Sequence, residues 1–134
     1  MKALATLYRE AQLYTHAAHN LVSGPTFFQD HKFLGELYGT YEDGYDGLIE
    51  RSIGLGEPLD PLEITDAAAA SAADKKLGDA KKMFSQILQF EQDLCDEINS
   101  YLSKGGVSHG VSNLLEGLAD ESEARQYKIG QRVK

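Results

Sequence analysis

The sequence predicts an all-α fold, a four-helix bundle with one long crossover between its second and third helices (the B–C connection). Three observations predict it. Apolar residues recur at three- and four-residue spacing through four long stretches. Glycine or proline interrupts the pattern between them. The interruptions after the first and third stretches are short, the one after the second is long, and no stretch alternates as a strand does. Two tight helical hairpins joined by a long connection make one of the standard bundle topologies.

The first helix covers about residues 3–22, with Leu4, Leu7, Ala11, Tyr14, Ala18 and Leu21 as its apolar stripe. Gly24-Pro25 ends it, and Thr26 is placed to cap the next helix. The second covers about residues 27–53, lined by Phe33, Leu34, Leu37, Tyr41, Tyr45 and Leu48. It contains Gly35, Gly39, Gly44 and Gly47. Each weakens a helix, so close packing against another helix or subunit is expected there. Gly54-Leu55-Gly56-Glu57-Pro58 stops it. In the connection, Leu59, Pro61, Leu62 and Ile64 are too apolar for a free linker. They are expected to lie across the bundle, with a short helix through the alanines. The third helix covers about residues 73–103, with Leu77, Ala80, Phe84, Ile87, Leu88, Leu94, Cys95, Ile98 and Leu102. After Gly105-Gly106 the last helix begins near Ser108, with Val111, Leu114, Leu115 and Leu118 apolar. Its polar second half is expected to fray or to pack against another subunit.

A chain of 134 residues suits one domain over residues 1–134. Its net charge of −8 disfavours binding to a phosphate backbone. The basic residues Arg125, Lys128, Arg132 and Lys134 read as the usual preference for cations at a helix C-terminus. The single cysteine, Cys95, excludes an internal disulfide and reads as a buried, inert thiol. No apolar leader and no membrane-length apolar run is present, so a cytoplasmic protein without a membrane partner is expected. No phosphate loop, dinucleotide fingerprint or CxxC pair occurs.

The chemistry concentrates in two places. His19 and His31 flank the first turn, and Asp46 and Glu50 lie one helical turn apart further along the second helix. Imidazoles and carboxylates together suit ferrous iron, zinc or manganese. Fifteen residues separate His31 from Asp46, about 22 Å along a helix, so one chain cannot bring them to one ion. A two-fold axis crossing the second helices can, and it generates two equivalent inter-subunit sites. His16 and Glu36 are auxiliary candidates, His16 from its position three residues before His19. The bland reading is a solvated histidine and a polar helix flank. Glu91, Asp93, Asp96 and Glu97 form an acidic cluster, but no Glu-x-x-His occurs, which argues against a diiron centre within one chain.

The stretch from His19 to Arg51 resembles the Dps-type miniferritins, the ferritin-like DNA-protection proteins of starved cells. The resemblance rests on His19, Gly24-x-x-Phe27-Phe28, His31, Leu37-Tyr38, Asp46 and Ile49-Glu50-Arg51. It implies a ferritin-like fold and a homo-oligomer, by family precedent a dodecameric cage. It also implies an inter-subunit iron site, with His19 and His31 from one chain and Asp46 and Glu50 from its neighbour. Such a site oxidises Fe(II) with peroxide or dioxygen, and ferric mineral is stored in the shell. Asp120, Glu121 and Glu123 would line a route by which iron enters. The chain departs from the family pattern at Gly35, where an aspartate is usual, and at Asn20, where tryptophan is frequent. The lysine-bearing N-terminal extension of DNA-binding members is also missing. These departures imply a weakened ferroxidase and make DNA binding unexpected. The alternative is a catalytically silent ferritin-like structural or interaction protein.

Overall fold

In the computed structural model of the protein, which describes residues 1–134, the chain is all-α. It has five helices: α1 (Lys2–Leu21), α2 (Phe27–Gly54), α3 (Pro61–Ala73), α4 (Ala80–Ser103) and α5 (His109–Arg132). The expected stop signals act where they were placed. Gly24, Gly56, Gly105 and Gly106 all adopt positive φ, a conformation that only glycine reaches without strain.

The short helix expected through the alanines forms as α3, and the helix expected from residue 73 starts only at Ala80. α3 ends at its C-cap Asp74, and α4 starts only after Asp79, whose side chain accepts from the Lys82 backbone N–H at 2.8 Å. That cap gives the chain a local alternative to continued helix. Leu77, assigned to the stripe, is instead 42% exposed. α3 itself is set by Asp60, which accepts from Leu62 N–H, with Pro61 opening the first turn.

α1 packs against α2, α3 and α4, and α4 packs against α5. The core joins Leu4, Tyr8, Leu34, Leu48, Ile87, Phe90, Leu94 and Ile98 from facing stripes. Each such side chain contributes about 1.5–3 kcal/mol on burial. Polar ties fix α3 and the connection after it to α1: Ser71 donates to Glu10 at 2.9 Å, Lys75 pairs with Glu10, and Tyr14 donates to the Lys76 carbonyl at 2.9 Å.

The polar half of α5 does not fray. It stays helical to Arg132, buries Ser122 and Ile129, and directs Arg125 and Arg132 inward. Two of the four cations expected to decorate a helix end, Arg125 and Arg132, are thus structural, while Lys128 and Lys134 are exposed. No helix is long and apolar enough to cross a membrane.

Candidate metal centre

The α1–α2 turn builds the first half of the site. Val22 N–H closes α1 on the Ala18 carbonyl at 2.9 Å, Gly24 turns the chain at φ 102°, and Phe27 N–H returns to the Gly24 carbonyl at 3.1 Å. Thr26 stands at the N-cap, but its hydroxyl donates to Asp30 Oδ2 at 2.7 Å and caps no backbone group. Asp30 also receives two bonds from Arg132, at 3.0 and 2.8 Å, which tie the turn to the end of α5. The Arg132 guanidinium holds the Asp30 carboxyl below its usual range.

This turn lays His19 on His31. Their rings stack with centroids 3.8 Å apart and 21° between planes. His19 Nδ1 lies 2.8 Å from the His31 carbonyl oxygen, and His31 Nδ1 lies 3.0 Å from the His19 carbonyl oxygen. A carbonyl oxygen only accepts, so each Nδ1 carries the hydrogen. In its neutral form each ring then keeps an Nε2 lone pair. Histidines that bind metals are commonly oriented by such a bond from the second nitrogen. Phe27 stacks on His31 at 4.9 Å, and Tyr38 meets the His19 ring at 5.4 Å.

The neighbouring candidates separate. His16 is exposed and stacks on Tyr38 at 4.1 Å, with its ring 6.4 Å from that of His19. Glu36 lines a cleft of about 340 Å³ between α2 and α5, together with Thr40, Glu121, Arg125 and Lys128; neither imidazole borders it. Glu121 lies 3.7 Å from Arg125 Nη1, and Asp120 and Glu123 are exposed on α5. Asp46 and Glu50 are exposed far along α2, and no ion pair of the chain uses them. Nowhere do three or more His, Cys, Asp or Glu gather in a geometry that could hold a metal ion. One chain therefore offers a pair of nitrogen donors and no complete metal site.

The bundle interior holds a polar cluster that sequence reasoning missed. Glu91 is fully buried on α4. Its Oε1 accepts from Tyr41 at 2.6 Å and Arg125 Nε at 2.6 Å; its Oε2 accepts from Ser122 at 2.5 Å and Arg125 Nη2 at 3.3 Å. These four donors fill the lone-pair positions of a carboxylate. Burial and the adjacent Glu91 charge push the Tyr41 phenol well above its ordinary range. Burial acts to lower Arg125, but its bonds and ion pair with Glu91 outweigh this and raise it. The signal was present in the sequence: Glu91 interrupts the stripe of Phe84, Ile87, Leu94 and Ile98.

A carboxylate on a bundle's inner face is where a metal centre within one chain would begin. Here a guanidinium occupies that role, and the residues do not fit a metal. A family model described as a ferritin-like domain matches residues 2–133. No curated protein matches the chain.

Proposed function

The chain belongs to the ferritin-like domain family, yet we propose that a single copy is catalytically silent, a structural or interaction bundle of one domain without a metal centre of its own. The carrying observation is the closed Glu91 carboxylate, with Tyr41, Ser122 and Arg125 on every acceptor position. The absence of any three-donor cluster supports the same reading. Fe(II) oxidation by dioxygen or peroxide, followed optically on the dilute monomer, tests it. The expected rate is that of buffer alone. Acceleration that Glu91→Gln abolishes would overturn the reading.

One observation favours a second reading, in which metal binding belongs to assembled chains. The two Nε2 lone pairs at His19 and His31 are half of a divalent-metal site. Asp46 and Glu50 of a second copy, both exposed, supply the other half across a two-fold axis. Iron would be cargo at such a site, and zinc or manganese suits the same donors. The imidazoles and carboxylates hold and orient the ion. In that assembly, a cage on the family precedent, Asp120, Glu121 and Glu123 line a path for cations, and the connection carrying α3 is the long crossover. Anaerobic Fe(II) calorimetry on the wild type and on a His31→Ala, Asp46→Ala double variant separates the readings. Saturable binding lost in the variant supports the inter-chain site, and no saturable binding in the wild type supports the silent bundle.

A further inference from the structure

We propose that Gly35 is a positioning residue for the imidazole pair: the side chain it lacks is the space in which the His19 ring stands. A Cβ at position 35 would lie 3.0 Å from His19 Cε1 and 3.2 Å from His19 Nδ1. Nδ1 is the atom that donates to the His31 carbonyl at 2.8 Å. The added carbon therefore presses on the bond that fixes the ring's tautomer. The ring is already stacked on His31 at 3.8 Å, so any retreat from position 35 disturbs the stack as well.

Backbone freedom does not explain this glycine. Its φ is not among the positive values of the chain, and any residue could adopt a helical conformation there. Glycine in a helix interior is otherwise a loss relative to alanine. Two other glycines of α2 provide internal controls, since a Cβ at Gly39 or Gly47 meets nothing within 4 Å. Gly44 is a third case, with its space filled by the Tyr8 ring.

The consequence reaches the chemistry. An aspartate at position 35 brings its own Cβ into the same contact, so in this chain the His19 ring must shift by a few tenths of an ångström to admit it. The pair is then built for one borderline divalent ion, of which Zn²⁺ is the simplest probe. This last clause rests on the inter-chain reading; the positioning role does not.

Side-chain ¹⁵N NMR of the metal-free protein at mildly alkaline pH reads the tautomers directly. The expected wild-type spectrum has His19 and His31 both protonated at Nδ1. Gly35→Ala should move His19 toward a mixture of tautomers and leave the melting temperature little changed, because the disturbed bond and stack offset the gain of an alanine in the helix. Gly39→Ala should raise the melting temperature and leave both histidines unchanged. Zn²⁺ affinity, measured by calorimetry on the same proteins, should fall roughly tenfold in Gly35→Ala, a change comparable to losing one oriented ligand bond. Wild-type rings protonated at Nε2, or histidine signals identical in Gly35→Ala and wild type, would overturn the proposal. Shifted tautomers without any Zn²⁺ binding would uphold Gly35 as a positioning residue and remove the inter-chain metal reading.

Discussion

The buried Glu91 cluster and the His19–His31 pair both gather polar side chains in close contact, but they leave opposite things behind. Around Glu91 each carboxylate oxygen accepts two hydrogen bonds, and a guanidinium supplies the balancing charge. At the turn each imidazole uses Nδ1 to bond the other residue's backbone and keeps Nε2 in hand. The first arrangement is finished within one chain and the second is not. Residue type alone does not make this distinction, because a carboxylate inside a helix bundle looks more like a metal ligand than a histidine at a turn does. The number of uncommitted lone pairs makes it.

The largest test of the contrast is Arg125→Met. It leaves Glu91 charged and unpaired in the core, and the expected cost is about 3–5 kcal/mol by denaturant unfolding. Glu91→Gln leaves the Arg125 guanidinium without its main partner, but Glu121 lies 3.7 Å from it and is largely exposed, so the cost should be of the same kind and smaller. If Arg125→Met costs under about 1 kcal/mol, a range ordinary for exposed ion pairs, the cluster is not what closes the interior.

The Asp30–Arg132 tie is the intermediate case, with an acid at the turn and a base at the end of α5. Asp30 has its folded pKa lowered from an ordinary value of 3.8. Its contribution is therefore complete above that value and lost as pH falls through the folded pKa. Asp30→Asn should reduce stability by about 1–2 kcal/mol at neutral pH, the range for hydrogen bonds to charged groups discounted for partial exposure. It should also flatten the acid limb of the stability–pH curve. An unchanged acid limb in thermal melts would show that the pair adds nothing.

At the turn a smaller effect is expected. His19→Ala removes one reciprocal bond and the stack but opens no deep cavity, so about 1 kcal/mol is lost. Smallest is Gly47→Ala, where the added methyl meets nothing within 4 Å. It should stabilise the monomer by about 0.5–1 kcal/mol. The same variant sharpens the assembly question: if it weakens self-association in sedimentation experiments, Gly47 faces a second copy.

Much of this was legible in the sequence because it is local. The stripe and stop signals delimit α1, α2 and the start of α5 within a residue or two. The spacing of His19 and His31 around Gly24-Pro25 leads directly to their contact. The late start of α4 was missed because Leu77 continues the helical period, while Gly78 and the capping Asp79 carry the opposing signal. Arg125 and Arg132 were read by their position near a helix end, although each has an acidic partner from a distant part of the chain. Gly35 was legible as a missing carboxylate and not as a seat for His19. The contact that explains it joins two helices, and no helical period reports it.

The most direct measurement is an anaerobic Fe(II) titration across protein concentration, with association state followed by analytical ultracentrifugation. The expected result is no saturable uptake by the monomer. Any uptake should appear only with association, vanish in a His19→Ala, His31→Ala double variant and survive Glu91→Gln. Saturable Fe(II) uptake by the monomer, or uptake that persists without both histidines, would contradict the account.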